Sequence, residues 1–175
     1  MRLGFRHCDP RCPFLWQSAD QPAARWHAQG GGPANYFADT PEGAWAEFLR
    51  HEGITDRADL AGVRRSIWVV ELPDGGYSQP ELAEATLVGD ESTYATCQAE
   101  ADRLRAAGAR RLQVRGAALL PGGAHGWRCD DPEVRPAAAR DGLVWVLFGA
   151  SDATGWVAVE AGAPPQRVLP LVRPF

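Results

Sequence analysis

Two long apolar runs, LVWVLFG at 143–149 and GWVAVEA at 155–161, stand late in the chain with only Ala150–Thr154 between them, and nothing else in the sequence restricts the fold as strongly. Runs rich in Val, Leu and Trp at this length read as strands. The short ASDAT segment reads as a hairpin connection between them. Further strand-like runs are SIWVVEL (66–72), RLQV (111–114) and the shorter ANYFA (34–38). The clearest helix comes before most of them. Thr40 supplies an N-cap, Pro41 suits the first helical position, and Gly53 follows the last turn. Ala44, Trp45, Phe48 and Leu49 make its apolar face, while Glu47 lies off the centre of that face, toward a boundary or solvent. A second helix is predicted from Ser92 to Ala107, stopped by Gly108. Helices early and strands late favour an α+β sheet over alternating βαβ units. The segment 121–142 has no apolar period and is interrupted by Pro121, Pro132 and Pro136, so it reads as a long surface loop or flap.

With 175 residues and no linker, repeat or charge block, one domain over 1–175 is expected. No apolar run approaches the roughly 20 residues that span a bilayer, and MRLGFRHCDP lacks the apolar core of an export signal, so a cytoplasmic protein is expected. The net charge of −4 and the scattered basic residues exclude an electrostatic footprint for nucleic acid. All 18 basic residues are arginine, which excludes Schiff-base chemistry, a phosphate-loop lysine and a lysine general base. Any anion is held by arginine forks or by backbone amides.

Cys8, Cys12, Cys97 and Cys129 read as reduced thiols. Cys8 and Cys12 with His125 and Cys129 make two pairs at x3 spacing. That is looser than the usual x2 zinc pairs, and no metal is expected. His7, His27, His51 and His125 titrate in the useful range, yet none stands beside a serine or cysteine in a nucleophile signature, and Ser151 lacks the elbow pattern. Gly30-Gly31-Gly32 could cradle a phosphate, but no strand precedes it and Pro33 follows, so by itself it reads as a turn. Arg25 and Trp26 could pin a diphosphate and stack a ring; singly they read as a surface arginine beside a core tryptophan. Tyr36 alone reads as a core-edge tyrosine.

Taken together, these residues resemble the RES domain family, the NAD-degrading toxins of bacterial Xre–RES toxin–antitoxin pairs. Phe5-Arg6 matches the family's opening strand, and Ala24-Arg25-Trp26-His27 its G-R-W-N-like turn. The short strand Asn35-Tyr36-Phe37-Ala38 follows the glycine loop, and Thr40 to Glu47 matches a helix of the form S-P-x-x-A-x-x-E. The match is specific over residues 5–51. Farther on, Arg115-Gly116-Ala117-Ala118 stands where the family has a P-S-A-R-like turn. Gly116 aligns with the family serine, and Ala117 is the next candidate. Ala24 and His27 replace the glycine and asparagine of the G-R-W-N turn.

The resemblance implies a single α+β domain similar to ADP-ribosyltransferases, with mixed or antiparallel sheets, flanking helices and NAD in a cleft between sheets. It implies cleavage of the nicotinamide–ribose bond, in some members with inorganic phosphate as acceptor. Glu47 would steady the oxocarbenium-like ribose. Arg6 and Arg25, with His7 beside Arg6, would bind the phosphates or the attacking phosphate. Tyr36 would pack on the nicotinamide or ribose, Trp26 would stack, and the Gly116 amide would partly replace the serine hydroxyl. Implied partners are NAD, inorganic phosphate, an Xre-type antitoxin and a second copy of the chain, with neither nucleic acid nor membrane. Two other readings stand beside this one: an ADP-ribosyltransferase acting on a protein or small molecule, and an inactive member that binds a nucleotide or a partner.

Overall fold

The computed structural model describes residues 1–175. Its strands are β1 (Arg2–Cys8), β2 (Ala34–Ala38), β3 (Arg65–Leu72), β4 (Arg111–Arg115), β5 (Trp127–Asp130), β6 (Glu133–Pro136), β7 (Leu143–Phe148) and β8 (Gly155–Gly162). The helices are α1 (Pro41–His51), α2 (Glu84–Val88) and α3 (Tyr94–Ala106). A six-stranded sheet runs in the order β4-β7-β2-β1-β3-β8, and every pairing in it is antiparallel. The fold is therefore the expected α+β, with antiparallel rather than mixed strand pairing. No helix is long and apolar enough to cross a membrane.

The predicted hairpin between the last two long strands does not form. β7 lies between β2 and β4, and β8 pairs with β3 on the far side of the sheet. Both edges of β7 are already hydrogen-bonded, and its central residues Val144 to Leu147 are buried, so no edge remains for β8. The link also lacks an Asn-Gly or Asp-Gly pair for a tight turn. It crosses β2, β1 and β3 instead: at roughly 4.8 Å per strand the gap is about 19 Å in a flat sheet. The extended reach of Gly149–Thr154 is roughly 23 Å, enough to cover it.

The backbones of the two halves of the sheet are bridged at a single pair. β1 and β3 pair along their whole length, from Arg2↔Leu72 to Cys8↔Ser66, whereas β1 meets β2 at the single pair Phe5↔Ala38. Beyond that pair the two strands splay apart. Close packing fixes the hinge: a Cβ on Gly4 would lie 2.6 Å from Leu72 Cδ1 and 2.7 Å from Phe37 Cβ, so only glycine lets β1 approach. One core packs α1 against Ile67, Leu119 and Val168, and another packs α3 and Trp26 against β4 and β7. A third cluster joins the halves on the other face, packing Phe37, Trp145 and Leu147 against Val70 and Leu72.

α1 follows its sequence signals closely. Thr40 Oγ1 accepts from the Gly43 amide at 2.9 Å, and Glu42 in the first turn and Arg50 and His51 in the last complement the helix dipole. Thr93, beside the predicted Ser92 start of α3, makes no side-chain cap; a 3-10 turn at Glu91–Thr93, capped by Asp90, leads into Tyr94 instead. Within the predicted flap, β5 and β6 form a fully exposed hairpin.

Candidate functional site

A cavity of about 420 Å³ fills the wedge between β1 and β2, closed on one side by α1. Volumes of this size suit small-molecule ligands. Arg6, His7, Arg25, Trp26, Tyr36 and Glu47 all line it, although they come from separate strands, a turn and a helix. Gly116 does not. It borders a much smaller neighbouring space, and its amide already donates to Gly142 O at 2.8 Å, so it cannot stand in for a serine hydroxyl. Ala117, the alternative position, is the one that reaches the cavity wall.

Glu47 projects from α1 into the cavity. It keeps partial exposure through the cavity mouth while protein surrounds it elsewhere. Loss of hydration raises its pKa, and Arg50, Arg25 and the Ala118 amide act in the opposite sense. Neither arginine is hydrogen-bonded to the carboxylate; their terminal nitrogens are met by backbone carbonyls and, for Arg25, also by a threonine hydroxyl. Arg50 donates to Ala117 O at 2.8 Å and Gly89 O at 2.8 Å. Arg25 donates to Gly89 O at 2.6 Å and to Thr93 Oγ1 at 2.9 Å, and lies 4.8 Å from the Tyr94 ring centre. These two guanidiniums staple the Thr86–Tyr94 segment to the body of the protein. Arg25, expected to grip phosphates, is largely committed to that structural task.

The opposite wall is different. Arg6 makes one side-chain hydrogen bond, from Nη1 to Asn35 Oδ1 at 2.8 Å. Burial lowers its pKa, but arginine remains charged at neutral pH. Arg65 Nη2 donates to His7 Nδ1 at 3.3 Å, and its buried Nε has no partner. His7 must accept that bond, which places any ring proton on Nε2. Burial first, then Arg65 and Arg6, push the His7 pKa down to about 3, so the imidazole is neutral. Two cations with unused donors and a neutral imidazole thus share one end of the cavity.

Tyr36 presents its ring but not its hydroxyl. The hydroxyl accepts from the Trp26 amide at 3.1 Å and donates to His27 Nδ1 at 2.8 Å, while His27 Nε2 donates to Pro22 O at 2.9 Å. Burial raises the phenol's pKa and lowers that of His27, so neither side chain changes charge near neutrality. His27, which departs from the G-R-W-N pattern, therefore fixes Tyr36 in place. Trp26 is only 2% exposed and packs against Cys97, Ala101 and Leu112; it offers no free face on which a ring could stack. The glycine triplet is a surface turn outside the cavity, with Gly31 O accepting from Arg105 at 3.0 Å. Cys8 and Cys12 line the cavity while Cys129 lies in the exposed hairpin, and no group of three or more His, Cys, Asp or Glu side chains could hold a metal ion.

Sequence reading did not single out Arg50, Arg65, Tyr94, Trp16 or Phe175, all of which line the cavity. Arg50 had a signal: it sits three residues after Glu47 on the same helix, a spacing that puts both on one face. Arg65 had none, because only the register of β3 against β1 brings it to His7.

Fold and cavity together define an antiparallel α+β domain whose arginine-lined cleft faces a carboxylate carried on a helix. The RES domain model matches residues 6–141, and the chain belongs to that family. Among solved structures it is similar to a chain in the crystal structure of the M. tuberculosis MbcT–MbcA toxin–antitoxin complex, at 14% identity and a TM-score of 0.62, over 97% of this chain and 87% of that one. At that identity the likeness is one of fold. None of the curated proteins matches the chain.

Proposed function

We propose that this protein cleaves the nicotinamide–ribose bond of NAD, as the toxin of a toxin–antitoxin pair. The observation that carries the reading is Glu47: a desolvated carboxylate, not consumed by the arginines beside it, facing a cavity whose far end holds Arg6 and Arg65 with unused donors. In the reaction the electron pair of the C1′–N bond passes to the pyridinium ring, which leaves as neutral nicotinamide, and the ribose becomes oxocarbenium-like. Glu47 stabilises that developing charge and holds a ribose hydroxyl. Arg6 takes the diphosphate through forked contacts. The Tyr36 ring, locked through its hydroxyl, orients the sugar and base. Water or inorganic phosphate then forms the new bond at C1′. No residue needs to protonate the leaving group.

Membership of the RES family, and the likeness to a chain from a toxin–antitoxin complex, support an antitoxin partner. The test is incubation of purified protein with NAD, with and without phosphate. Nicotinamide release is expected, with ADP-ribose 1″-phosphate as the other product where phosphate is the acceptor and free ADP-ribose where water is. Labelled NAD that ends on a protein would shift the reading to ADP-ribosyl transfer. No nicotinamide release under any condition overturns it.

A further inference from the structure

Asn35 is completely buried, and its side-chain amide serves two groups of the cavity wall at once. Its Oδ1 accepts from Arg6 Nη1 at 2.8 Å and from the Trp16 backbone amide at 2.7 Å, while its Nδ2 donates to Trp16 O at 3.2 Å. Both backbone groups of Trp16 are therefore pinned from within the sheet. A buried amide hydrogen-bonded through both its oxygen and its nitrogen is a stiff connection, because any displacement leaves a polar group unsatisfied. The indole it holds is nevertheless 40% exposed and lines the cavity. An aromatic side chain in a loop, held rigidly by its backbone and left with an open face, is built to receive something flat.

We propose that Trp16 is the platform on which the adenine ring of the dinucleotide stacks. The inference rests on the reading of NAD as substrate. A diphosphate held by Arg6 has its adenosine one ribose away, and the shared Asn35 anchor sets Trp16 beside that guanidinium. Trp26, the tryptophan that the sequence pattern favours for stacking, is buried in the core and cannot do this. Phe175, 54% exposed, is the other open ring on the cavity wall, but it lies 4.5 Å from the Arg50 guanidinium, on the Glu47 side where the sugar reacts. Trp16 thus belongs to the adenine end and Phe175 to the nicotinamide end.

The test is calorimetric titration of Glu47→Gln protein, in which turnover is slowed, with NAD and with nicotinamide mononucleotide, which lacks adenosine. ADP-ribose, which lacks the scissile bond, gives the same comparison in the unmutated protein. Trp16→Ala should weaken NAD and ADP-ribose roughly ten-fold, as loss of one base–aromatic stack does, and leave the mononucleotide within two-fold. Trp16→Phe should recover most of the loss, which separates stacking from a disturbed loop. The proposal is overturned if Trp16→Ala binds NAD normally, if it weakens both nucleotides alike, or if only Phe175→Ala shows the selective loss. Should the parent protein bind none of these ligands, the NAD reading itself fails. Binding without selectivity overturns the stacking role alone.

Discussion

The two walls of the cleft are built from the same side chain and use it in opposite ways. On the α1 side, Arg25 and Arg50 each spend both terminal nitrogens on oxygens of the Thr86–Ala117 region and act as internal staples, although Arg50 Nε is left without a partner. On the β1–β3 side, Arg6 and Arg65 make one side-chain hydrogen bond each and keep donors free. Burial does not distinguish them, since burial lowers the pKa of Arg6 and Arg50 alike. The filling of the guanidinium fork does. An arginine whose donors are met by backbone belongs to the scaffold, and one held at a single point in a cavity belongs to the ligand.

Glu47→Gln breaks this division most sharply if it is false. Nicotinamide release should fall by about 10²- to 10³-fold, the scale of losing one preorganised charge-stabilising group. The melting temperature at pH 7 should hold or rise. Folding raises the pKa of Glu47, so the folded state binds its proton more tightly than the unfolded chain, and stability declines as pH rises through that window. Glutamine removes the decline. A variant that unfolds would place Glu47 in the scaffold instead.

Next in size is the contrast between Arg50→Ala and Arg65→Ala. The first strands the carbonyls of Ala117, Val88 and Gly89 and should destabilise the protein by about 3 kcal/mol in chemical denaturation. The second should change stability by less than about 1 kcal/mol while weakening ADP-ribose roughly ten-fold. Equal destabilisation by the two would abolish the distinction between the walls. A smaller effect concerns His7. Its folded pKa of about 3 lies below its unfolded value, so its contribution to stability is present above about pH 6.5 and lost as pH falls. His7→Gln should reduce the loss of stability between pH 6.5 and pH 5 by about 1.5 kcal/mol, read from denaturation midpoints at each pH. The smallest change is expected from Ala117→Ser, which returns a hydroxyl to the cavity wall; one neutral hydrogen bond is worth about 1 kcal/mol, so kcat/KM should move by less than about ten-fold.

The strands and α1 were legible because their signals are local. Thr40 caps, Pro41 starts, and alternating or apolar runs mark β2, β3, β4, β7 and β8 within a residue or two. Partner choice was not legible. The proximity of β7 and β8 in sequence suggested a hairpin, but pairing is decided by which edges are free once the sheet assembles. The same limit applied to the site. Arg6, Tyr36 and Glu47 could be picked out by resemblance, whereas Gly116 was assigned to the cavity although its amide faces Gly142, and Trp26 was given a stacking face that α3 and β4 cover.

The amino-acid sequence by itself determined the α+β class, the capped helix that carries Glu47, the reliance on arginine in place of lysine for every cationic side chain of the cleft, and membership of the RES family. Tertiary structure alone decided where β1 leaves β2 to open the cleft, which arginines are occupied, and that Trp16 rather than Trp26 has a face to offer. Periodicity and capping act over a few residues and are written in their order. Donor saturation and solvent access depend on groups tens of residues apart, and exist only once the chain has closed on itself.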